Sequence, residues 1–301
     1  MPTNNATQDH SVFIEVFGRT DVGKQRDHNE DTFLVADLTT GDRTLQPQQR
    51  RRILSPAGMV LAVCDGMGGA SSGEVAAQMA SDTLYSELVT PPLATETNAL
   101  LTTIDHALQS ANRRIMSAAR KDPTRRGMGT TCSVALVQPH HLVTAQVGDS
   151  RVYLIREGAI LQVTKDQSLL NQLLDTGQIS PQDVPNFQHT NVILQALGVV
   201  ETVVAEYRRV ELRQRDRILV CSDGLTGPVG DDAILNVVRS NEDLVAACKQ
   251  LTDLANQGGG PDNITVVLAE VRGPGLPAPD PTVPMEALSL RGPQDKGSRP
   301  Q

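Results

Sequence analysis

The sequence predicts a mixed α/β fold whose strands pair in antiparallel fashion and whose helices occur in pairs. Apolar runs of strand length recur along the chain, and residues 59–64 are one of them. The candidate strands 130–137, 141–147 and 151–156 follow one another closely, and the turn Gly148-Asp149-Ser150 joins the last two. This spacing indicates antiparallel pairing. Hairpins that alternate with helix pairs argue against a doubly wound parallel sheet.

The other elements follow the same patterns within one folded domain. Further strands are expected at 12–18, 31–37, 202–212, 216–222 and 263–271, and helices at 73–88, 97–119 and twice between 231 and 256. Residues 39–57 are predicted to form a loop with Arg50, Arg51 and Arg52 at a solvated tip. Residues 1–10 and the Pro- and Gly-rich tail 273–301 are predicted to be disordered, which leaves 11–272 as the domain.

The composition argues against several classes of protein. The 301-residue chain has 35 acidic and 27 basic residues, no Trp, three Tyr and four Phe. These features disfavour nucleic-acid binding, which uses basic surfaces and aromatic side chains. No apolar stretch approaches the roughly 20 residues that cross a bilayer, and no signal peptide is recognisable, so we expect no membrane partner and a cytoplasmic address. The four cysteines lack CxxC spacing and are expected to be buried free thiols.

Five aspartates stand where apolar strand runs begin or end: Asp31, Asp65, Asp149, Asp223 and Asp262. Aspartate is disfavoured in strands, and a single one is more often a cap or a turn residue. Five in the same context indicate instead that several strand ends converge on one site. Close carboxylates repel unless cations neutralise them, and oxygen ligands without His or Cys select hard ions such as Mg²⁺, Mn²⁺ or Ca²⁺.

Six segments together resemble the motif series of the bacterial-type PPM (PP2C-like) protein phosphatases. They are RDHNEDTF, VCDGMGG, MGTT, VGDSR, CSDGL and GPDNITVV, in the family's order over most of the chain. The resemblance implies a PP2C-like α/β sandwich, in which two packed antiparallel β-sheets are flanked by antiparallel helix pairs. It also implies a serine/threonine phosphatase that hydrolyses phosphoserine and phosphothreonine with a metal-activated hydroxide. The implied partners are phosphorylated proteins, namely Hanks-type Ser/Thr kinases and their substrates, and we expect a monomer.

Carried over residue by residue, the resemblance implies a centre of two Mg²⁺ or Mn²⁺ ions. Asp65 would bridge the two ions, and Gly66 would supply a backbone carbonyl. Asp223 and Asp262 would complete the ligand shell of one ion. Oxygen ligands of this kind suit both metals, so the resemblance does not choose between them.

The resemblance also assigns residues around this centre. Asp31 and Glu30 would act around the second ion, largely through waters, while Asp149 together with Asp223 would hold a third, weaker ion. Arg26 lies where the family places its phosphate-binding arginine, whose guanidinium fork can hold two phosphate oxygens. Asn263 either orients its neighbours or has a simple turn role.

Several positions depart from the family pattern. Met67 stands where eukaryotic relatives often carry a histidine that is a candidate general acid, so the identity of the acid is open. The segment 165–198 resembles the family's flap, which influences substrate choice. There Gln167 replaces a residue of a DHS-type motif, and Thr190 and Gln195 replace residues that are often basic. Fewer positive charges in the flap weaken the expected docking of phosphopeptides.

One alternative function is a catalytically silent PP2C-like module that binds or senses, because a fold alone does not establish activity. Silent relatives usually lose metal-binding acids. This chain keeps all five strand-end aspartates and Arg26, which favours an active enzyme.

Overall fold

The computed structural model describes residues 10–45, 50–68, 72–89, 96–184, 187, 189 and 192–295. The strands are β1 Phe13–Asp21, β2 Asp31–Asp37, β3 Arg51–Ile53, β4 Met59–Met67, β5 Gly129–Thr130, β6 Cys132–Val137, β7 His141–Val147, β8 Arg151–Arg156, β9 Ala159–Gln162, β10 Glu206–Glu211, β11 Arg217–Cys221, β12 Ile264–Arg272 and β13 Leu288–Leu290. The helices are α1 Ser72–Val89, α2 Thr97–Lys121, α3 Leu169–Asp175, α4 Asp223–Thr226, α5 Asp231–Ser240 and α6 Leu244–Gln257. Short 3₁₀ turns occupy Pro123–Arg125 and Pro293–Asp295.

The strands form two antiparallel sheets. Sheet I has six strands in the order β3-β1-β12-β11-β8-β9. Sheet II has the order β13-β10-β7-β6-β4-β2, and β5 pairs with β4 beside it. Within sheet II, Asp31 at the start of β2 lies directly opposite Asp65 near the end of β4. This register places two of the predicted metal-binding acids at the same end of the sheet.

The two sheets pack face to face, and alternate residues of each strand point to opposite sides. On β4, Leu61 and Val63 belong to the apolar core between the sheets. The intervening Val60, Ala62 and Cys64 face the helices instead. Because both faces of this strand are covered, its sequence is a continuous apolar run rather than an alternating one.

Helices cover the outer faces of the sandwich. The helices α1 and α2 pack on sheet II through small and aliphatic residues such as Ala76, Ala80 and Leu108. The helices α5 and α6 cover sheet I through Val238 and Leu251 among others. The prediction of two packed antiparallel sheets flanked by helix pairs is therefore confirmed.

The connection at Gly148-Asp149-Ser150 differs from the sequence prediction. The strands β7 and β8 do not form a hairpin, because β7 belongs to sheet II and β8 to sheet I. Two buried side chains hold the crossing in place, since Ser133 Oγ and Gln146 Nε2 both donate to the carbonyl of Ser150 at 2.7 Å. The crossing places Asp149 at the end of both sheets, next to the other strand-end acids.

Two segments predicted to lack structure contribute strands. Residues Arg51–Ile53 lie in the predicted loop 39–57, whose solvated tip was expected at Arg50 to Arg52, but they pair with β1. Arg52 forms an ion pair with Asp42 at 2.8 Å. In the tail, predicted to be disordered, Leu276 is buried and β13 pairs with β10. Pairing satisfies backbone groups that a sheet edge would otherwise expose, a gain that composition does not reveal. The predicted disorder of 1–9 and 296–301 lies outside the described residues.

Two simpler observations concern cysteines and membranes. Cys64, Cys132, Cys221 and Cys248 are all buried and free, as the sequence predicts. In the part of the chain that the structure describes, no helix is both long and apolar enough to span a bilayer.

The close packing around Gly148 in the β7–β8 crossing can be tested by its effect on stability. Gly148 has φ +98°, and an added Cβ would lie 2.7 Å from Cγ2 of the buried Thr131. Gly127 has φ +80° with open space around the same position. We therefore expect Gly127→Ala to cost about 1 kcal/mol from backbone strain alone and Gly148→Ala to cost about 2 to 4 kcal/mol. Urea denaturation measures the unfolding free energy of both variants. Equal losses would show that the crossing can move to accommodate the added methyl group.

Candidate metal centre and active site

The five strand-end aspartates converge at one end of the sandwich. The strongest sign is the pKa of Asp65, which burial raises well above its usual value and which four neighbouring carboxylates raise further, those of Asp31, Asp223, Asp262 and Asp149. Burial together with Asp223 also raises the pKa of Asp149, to about 7. Acids from β2, β4, the β7–β8 crossing, the start of α4 and the turn before β12 thus share one electrostatic environment.

Asp65 is held by its backbone, which leaves its carboxylate to face the other four acids. Its N–H donates to Thr131 Oγ1 at 3.0 Å. Its carbonyl accepts from Thr131 N and from Thr130 Oγ1, both at 2.9 Å. Both threonines are buried, so the MGTT segment fixes the end of β4 rigidly.

Asp31 and Asp223 each keep one carboxylate oxygen that is buried and unpaired. Ser222 Oγ donates to Asp31 Oδ2 at 2.7 Å, but Asp31 Oδ1 has no hydrogen-bond partner. Asp223 Oδ1, at the start of α4, likewise has none. Burial raises the pKa of Asp31 to about 7, and burial and Asp262 raise that of Asp223. Unpaired buried carboxylate oxygens are costly unless a cation or a proton satisfies them.

Glu30 and Gly66 form the wall of the site beside α1. Gly66 N donates to the carbonyl of Glu30 at 3.2 Å, and Gly73 N at the start of α1 donates to the Glu30 carboxylate. Burial raises the pKa of Glu30, an effect that the bond from Gly73 opposes. A Cβ on Gly66 would lie 2.2 Å from Gly73 O, so only glycine allows this close approach. The close packing determines where the Gly66 carbonyl lies.

Asn263 ties the loop between β1 and β2 to the start of β12. Its Oδ1 accepts from Glu30 N at 2.8 Å. Its Nδ2 donates to the carbonyls of Val22 at 2.9 Å and His28 at 2.8 Å. The side chain is only 4% exposed, so these three bonds are protected from water. Of the two roles that the sequence left open, this geometry fits the orientation of neighbouring residues.

Arg26 is engaged with an acid of the site. Its Nη2 lies 2.7 Å from Asp262 Oδ2, while Asp262 Oδ1 accepts from Asn263 N at 2.8 Å. Both side chains of the ion pair are partly exposed, at 51% and 31%, so the pair is accessible to a ligand. An exposed ion pair of this kind contributes only about 1 kcal/mol or less and exchanges readily.

Gln167, at the start of the segment that resembles the flap, holds the crossing that carries Asp149. Its Oε1 accepts from Gly148 N at 3.0 Å, and its N–H donates to Gly148 O at 2.8 Å. Its Nε2 donates to Val204 O at 2.9 Å. A neutral amide, which both donates and accepts, suits these contacts. Gln195 accepts from Val204 N at 3.4 Å, and Thr190 lies outside the described residues.

The carboxylate oxygens of the site are chemically suited to hard cations, although the side chains are not already arranged around one ion position. Among the described residues, no three or more Asp, Glu, His or Cys side chains are arranged to hold one metal ion. Asp31 and Asp262 instead turn one oxygen each toward Ser222 and Arg26. The unpaired oxygens of Asp31 and Asp223, which lie among other carboxylates, are nevertheless suited to Mg²⁺ or Mn²⁺.

Comparison with known proteins identifies the fold family. The protein phosphatase 2C family profile matches residues 51–269. The chain belongs to the protein phosphatase 2C family. This assignment confirms the resemblance on which the sequence prediction rests.

Two related proteins and one solved structure illustrate this family. The chain is 36% identical over 258 residues to the serine/threonine phosphatase stp of Listeria welshimeri, covering 84% of this chain and 94% of that protein. It is 35% identical over 240 residues to PstP of Mycobacterium tuberculosis, covering 80% of this chain but only 46% of that protein, so it spans about half of that relative's length. The crystal structure of the PstP catalytic domain in complex with two manganese ions matches with TM-score 0.71 and 32% identity, covering 87% of this chain and 100% of that one. The prediction of a metal-dependent protein serine/threonine phosphatase is confirmed at the level of the PP2C family.

Sequence reasoning did not assign roles to several residues that build this PP2C site. Thr130 and Thr131 fix β4, Ser222 binds Asp31, and Gln167 binds the crossing. For Thr130, Thr131 and Ser222 the sequence carried a signal, because they lie in the recognised motifs MGTT and CSDGL. Hydroxyl side chains beside buried acids serve as neutral donors, and that chemistry would have identified them.

Asn263 provides a test of how the site is held. We expect Asn263→Ala to lower the unfolding free energy by about 2 kcal/mol, since it leaves the groups around Glu30 unpaired. Amide hydrogen exchange at Glu30 and Gly66 should accelerate. The matched control is Asn241→Ala, which removes side-chain bonds to Val237 and Gln250 at the end of α5. Unchanged exchange at Glu30 and Gly66 in Asn263→Ala would contradict the positioning role.

Proposed function

We propose that this chain hydrolyses phosphoserine and phosphothreonine in proteins with the help of bound Mg²⁺ or Mn²⁺. The observation that carries the proposal is the meeting of five strand-end carboxylates, two of which keep a buried unpaired oxygen. A module that only binds would gain nothing from this arrangement, since close carboxylates destabilise a fold that holds no cation. The alternative of a silent binding module is therefore disfavoured.

The proposed ligands of the two core ions are Asp65 as the bridge, the carbonyl of Gly66, and the carboxylates of Asp223 and Asp262. Asp65 fits the bridging role because its carboxylate faces four others while its backbone is immobilised. When bound, such ions activate a water for attack on phosphorus and neutralise charge on the phosphoryl oxygens.

Three further acids are proposed to lie around this core. Asp31 and Glu30 act at the second ion, largely through waters, in line with the hydrogen bonds that already engage Asp31 Oδ2 and the Glu30 carboxylate. Asp149 together with Asp223 forms the proposed third and weaker site, a role supported by the nearby Asp223 carboxylate, which together with burial raises the pKa of Asp149. Gln167 positions Asp149 for this role by holding Gly148.

Arg26 is the proposed phosphate-binding residue. Its guanidinium lies against Asp262, at the edge of the acid cluster, and is half exposed. When Asp262 turns toward a cation, the guanidinium fork becomes available to two phosphate oxygens. Exchange of one partner for the other keeps the arginine paired in both arrangements, so its charge is never left without a counterion.

The proposed biological partners are Hanks-type Ser/Thr kinases and their phosphorylated substrates, as expected from the family. The relatives described above are serine/threonine phosphatases, which supports phosphoprotein substrates for this chain. A monomeric state and a cytoplasmic address remain predictions from the sequence.

Removal of one acid tests the metal centre through two effects of opposite sign. In excess EDTA we expect Asp223→Asn to be more stable than wild type by about 1 kcal/mol, because a buried charge that faces Asp65 and Asp262 is removed. With Mn²⁺ or Mg²⁺ the order reverses, and turnover of a phosphothreonine peptide falls about a hundredfold or more. The control Asp82→Asn changes a surface acid paired with Arg43. Metal-independent stability and turnover in wild type would overturn the proposal.

Two arginine variants test phosphate binding. We expect Arg26→Lys to lower kcat/KM for a phosphopeptide about tenfold and Arg26→Ala about a hundredfold, since lysine keeps the charge but not the two-pronged geometry. The affinity for Mn²⁺, measured by calorimetry, should not fall in either variant, because release of Asp262 from its ion pair favours the cation. A loss of Mn²⁺ affinity with unchanged phosphopeptide kinetics would assign Arg26 to the metal centre instead.

A further inference from the structure

A surface groove lies along the C-terminal half of α2, away from the acid cluster. It has a volume of about 590 Å³, and its lining includes Arg113, Arg120 and Lys121 on the helix and Glu201 and Thr202 opposite. We refer to it as the α2 groove. Three cations and one acid give it a positive balance, whereas the chain as a whole has a formal net charge of -8.

The three cations of the α2 groove belong to one face of the helix. Arg113 and Arg120 are seven residues apart, about two helical turns, and so lie one above the other. Lys121 lies about 100° further round the helix and also lines the groove. All three side chains are exposed. No ion pair to any of them occurs within the described ranges, whereas neighbouring Arg125 pairs with Asp122 at 3.3 Å. The positive charge of this helix face is thus available to a ligand.

The opposite wall of the groove is fixed by buried amides of α2. Asn112 is fully buried, and its Oδ1 accepts from Gly198 N at 2.6 Å. Its Nδ2 donates to the carbonyls of Val200 at 2.8 Å and Glu201 at 3.2 Å. Gln109 Nε2 donates to Val203 O at 2.8 Å. The segment 198–203 is therefore held against the helix, so the groove has a defined shape.

The same segment connects the α2 groove to the acid cluster. Leu197 and Thr130 exchange two backbone hydrogen bonds, at 2.9 and 3.0 Å, and Thr130 Oγ1 binds the carbonyl of Asp65. A bridged pair is about 5 Å apart, and the four residue-to-residue steps from Leu197 to Glu201 span at most about 14 Å. Glu201 thus lies within about 20 Å of Thr130. An extended peptide covers this distance in about six residues.

We propose that the α2 groove binds an acidic stretch of the phosphoprotein substrate, about five to eight residues from the phosphorylated side chain. The proposal rests on the proposed function and names its substrate class. The two arginines are about 10 Å apart along the helix axis. Two acidic residues two positions apart in an extended peptide point to the same side, about 7 Å apart, a spacing that the long arginine side chains can meet. The groove supplies positive charge that Gln195 of the flap does not, and it does so on a rigid helix.

The test compares substrates that differ only in distant charge. Phosphothreonine peptides carry two Glu, two positions apart, five to eight residues before or after the phosphothreonine, and the reference peptides carry Gln there. For wild type we expect the better acidic peptide to have a kcat/KM about fivefold above its Gln counterpart, mainly through KM. In Arg113→Gln/Arg120→Gln this ratio should fall toward one. In wild type it should also fall with added salt.

A matched control separates local from general charge effects. Arg215→Gln/Arg239→Gln removes two exposed cations that line a different cavity. It changes the net charge equally and should keep the wild-type ratio. A ratio near one in wild type, or a ratio that survives in Arg113→Gln/Arg120→Gln, would overturn the proposal. An equal loss in both double variants would also overturn it, because net charge alone would then explain the preference.

Two further measurements cover other outcomes. If wild type turns over no phosphopeptide, fluorescence anisotropy of labelled acidic and Gln peptides still tests the groove, while the proposed function itself has failed. In that case weaker binding of the acidic peptide by Arg113→Gln/Arg120→Gln supports docking, and equal binding contradicts it. A preference for a second phosphate group but not for Glu would assign the groove to a phosphate ligand. Co-sedimentation with anionic phospholipid vesicles of wild type but not of Arg113→Gln/Arg120→Gln, without any peptide preference, would assign it to a membrane surface.

Discussion

Closely spaced carboxylates repel one another, and this sandwich holds five of them at one end. Asp65 is central, because the other four raise its pKa. Part of the repulsion is relieved locally, as Ser222 donates to Asp31 and Arg26 pairs with Asp262. The rest remains in oxygens without partners. A fold tolerates such a cluster when a bound cation converts repulsion into attraction, and this requirement connects the stability of the chain to its proposed chemistry.

Three uncharged side chains anchor the backbone around the cluster. Thr131 anchors β4, Asn263 anchors the loop before β2, and Gln167 anchors the crossing at Gly148. Amides and hydroxyls bind backbone groups without adding charge, so they position the carboxylates and leave their electrostatics unchanged. A cation in the same positions would compete with the metal for the acids. The preference for uncharged supports therefore follows from the charge of the site itself.

Much of this arrangement could be predicted from the sequence, and the failures have physical reasons. Apolar runs located the central strands, and acids at their ends located the site, because both patterns are local. The sequence did not show that β7 and β8 enter different sheets, since a short turn is compatible with a hairpin or a crossing. That outcome depends on buried bonds to Ser150 from residues distant in sequence. The ion pair of Arg26 with Asp262, 236 positions apart, is equally invisible to local patterns.

The distribution of charge suggests how an acidic phosphatase can receive a negatively charged substrate. A chain with a formal net charge of -8 repels phosphopeptides at long range, and its acid cluster repels the phosphate at short range. Bound cations and Arg26 reverse the sign at the reacting group, but they cannot distinguish one phosphoprotein from another. Discrimination requires a second contact outside the cluster, on a rigid element and at a fixed distance. The C-terminal half of α2 meets these conditions, because Asn112 and Gln109 fix the segment that joins it to the site. Selectivity can therefore change through surface residues of one helix while the metal centre stays the same.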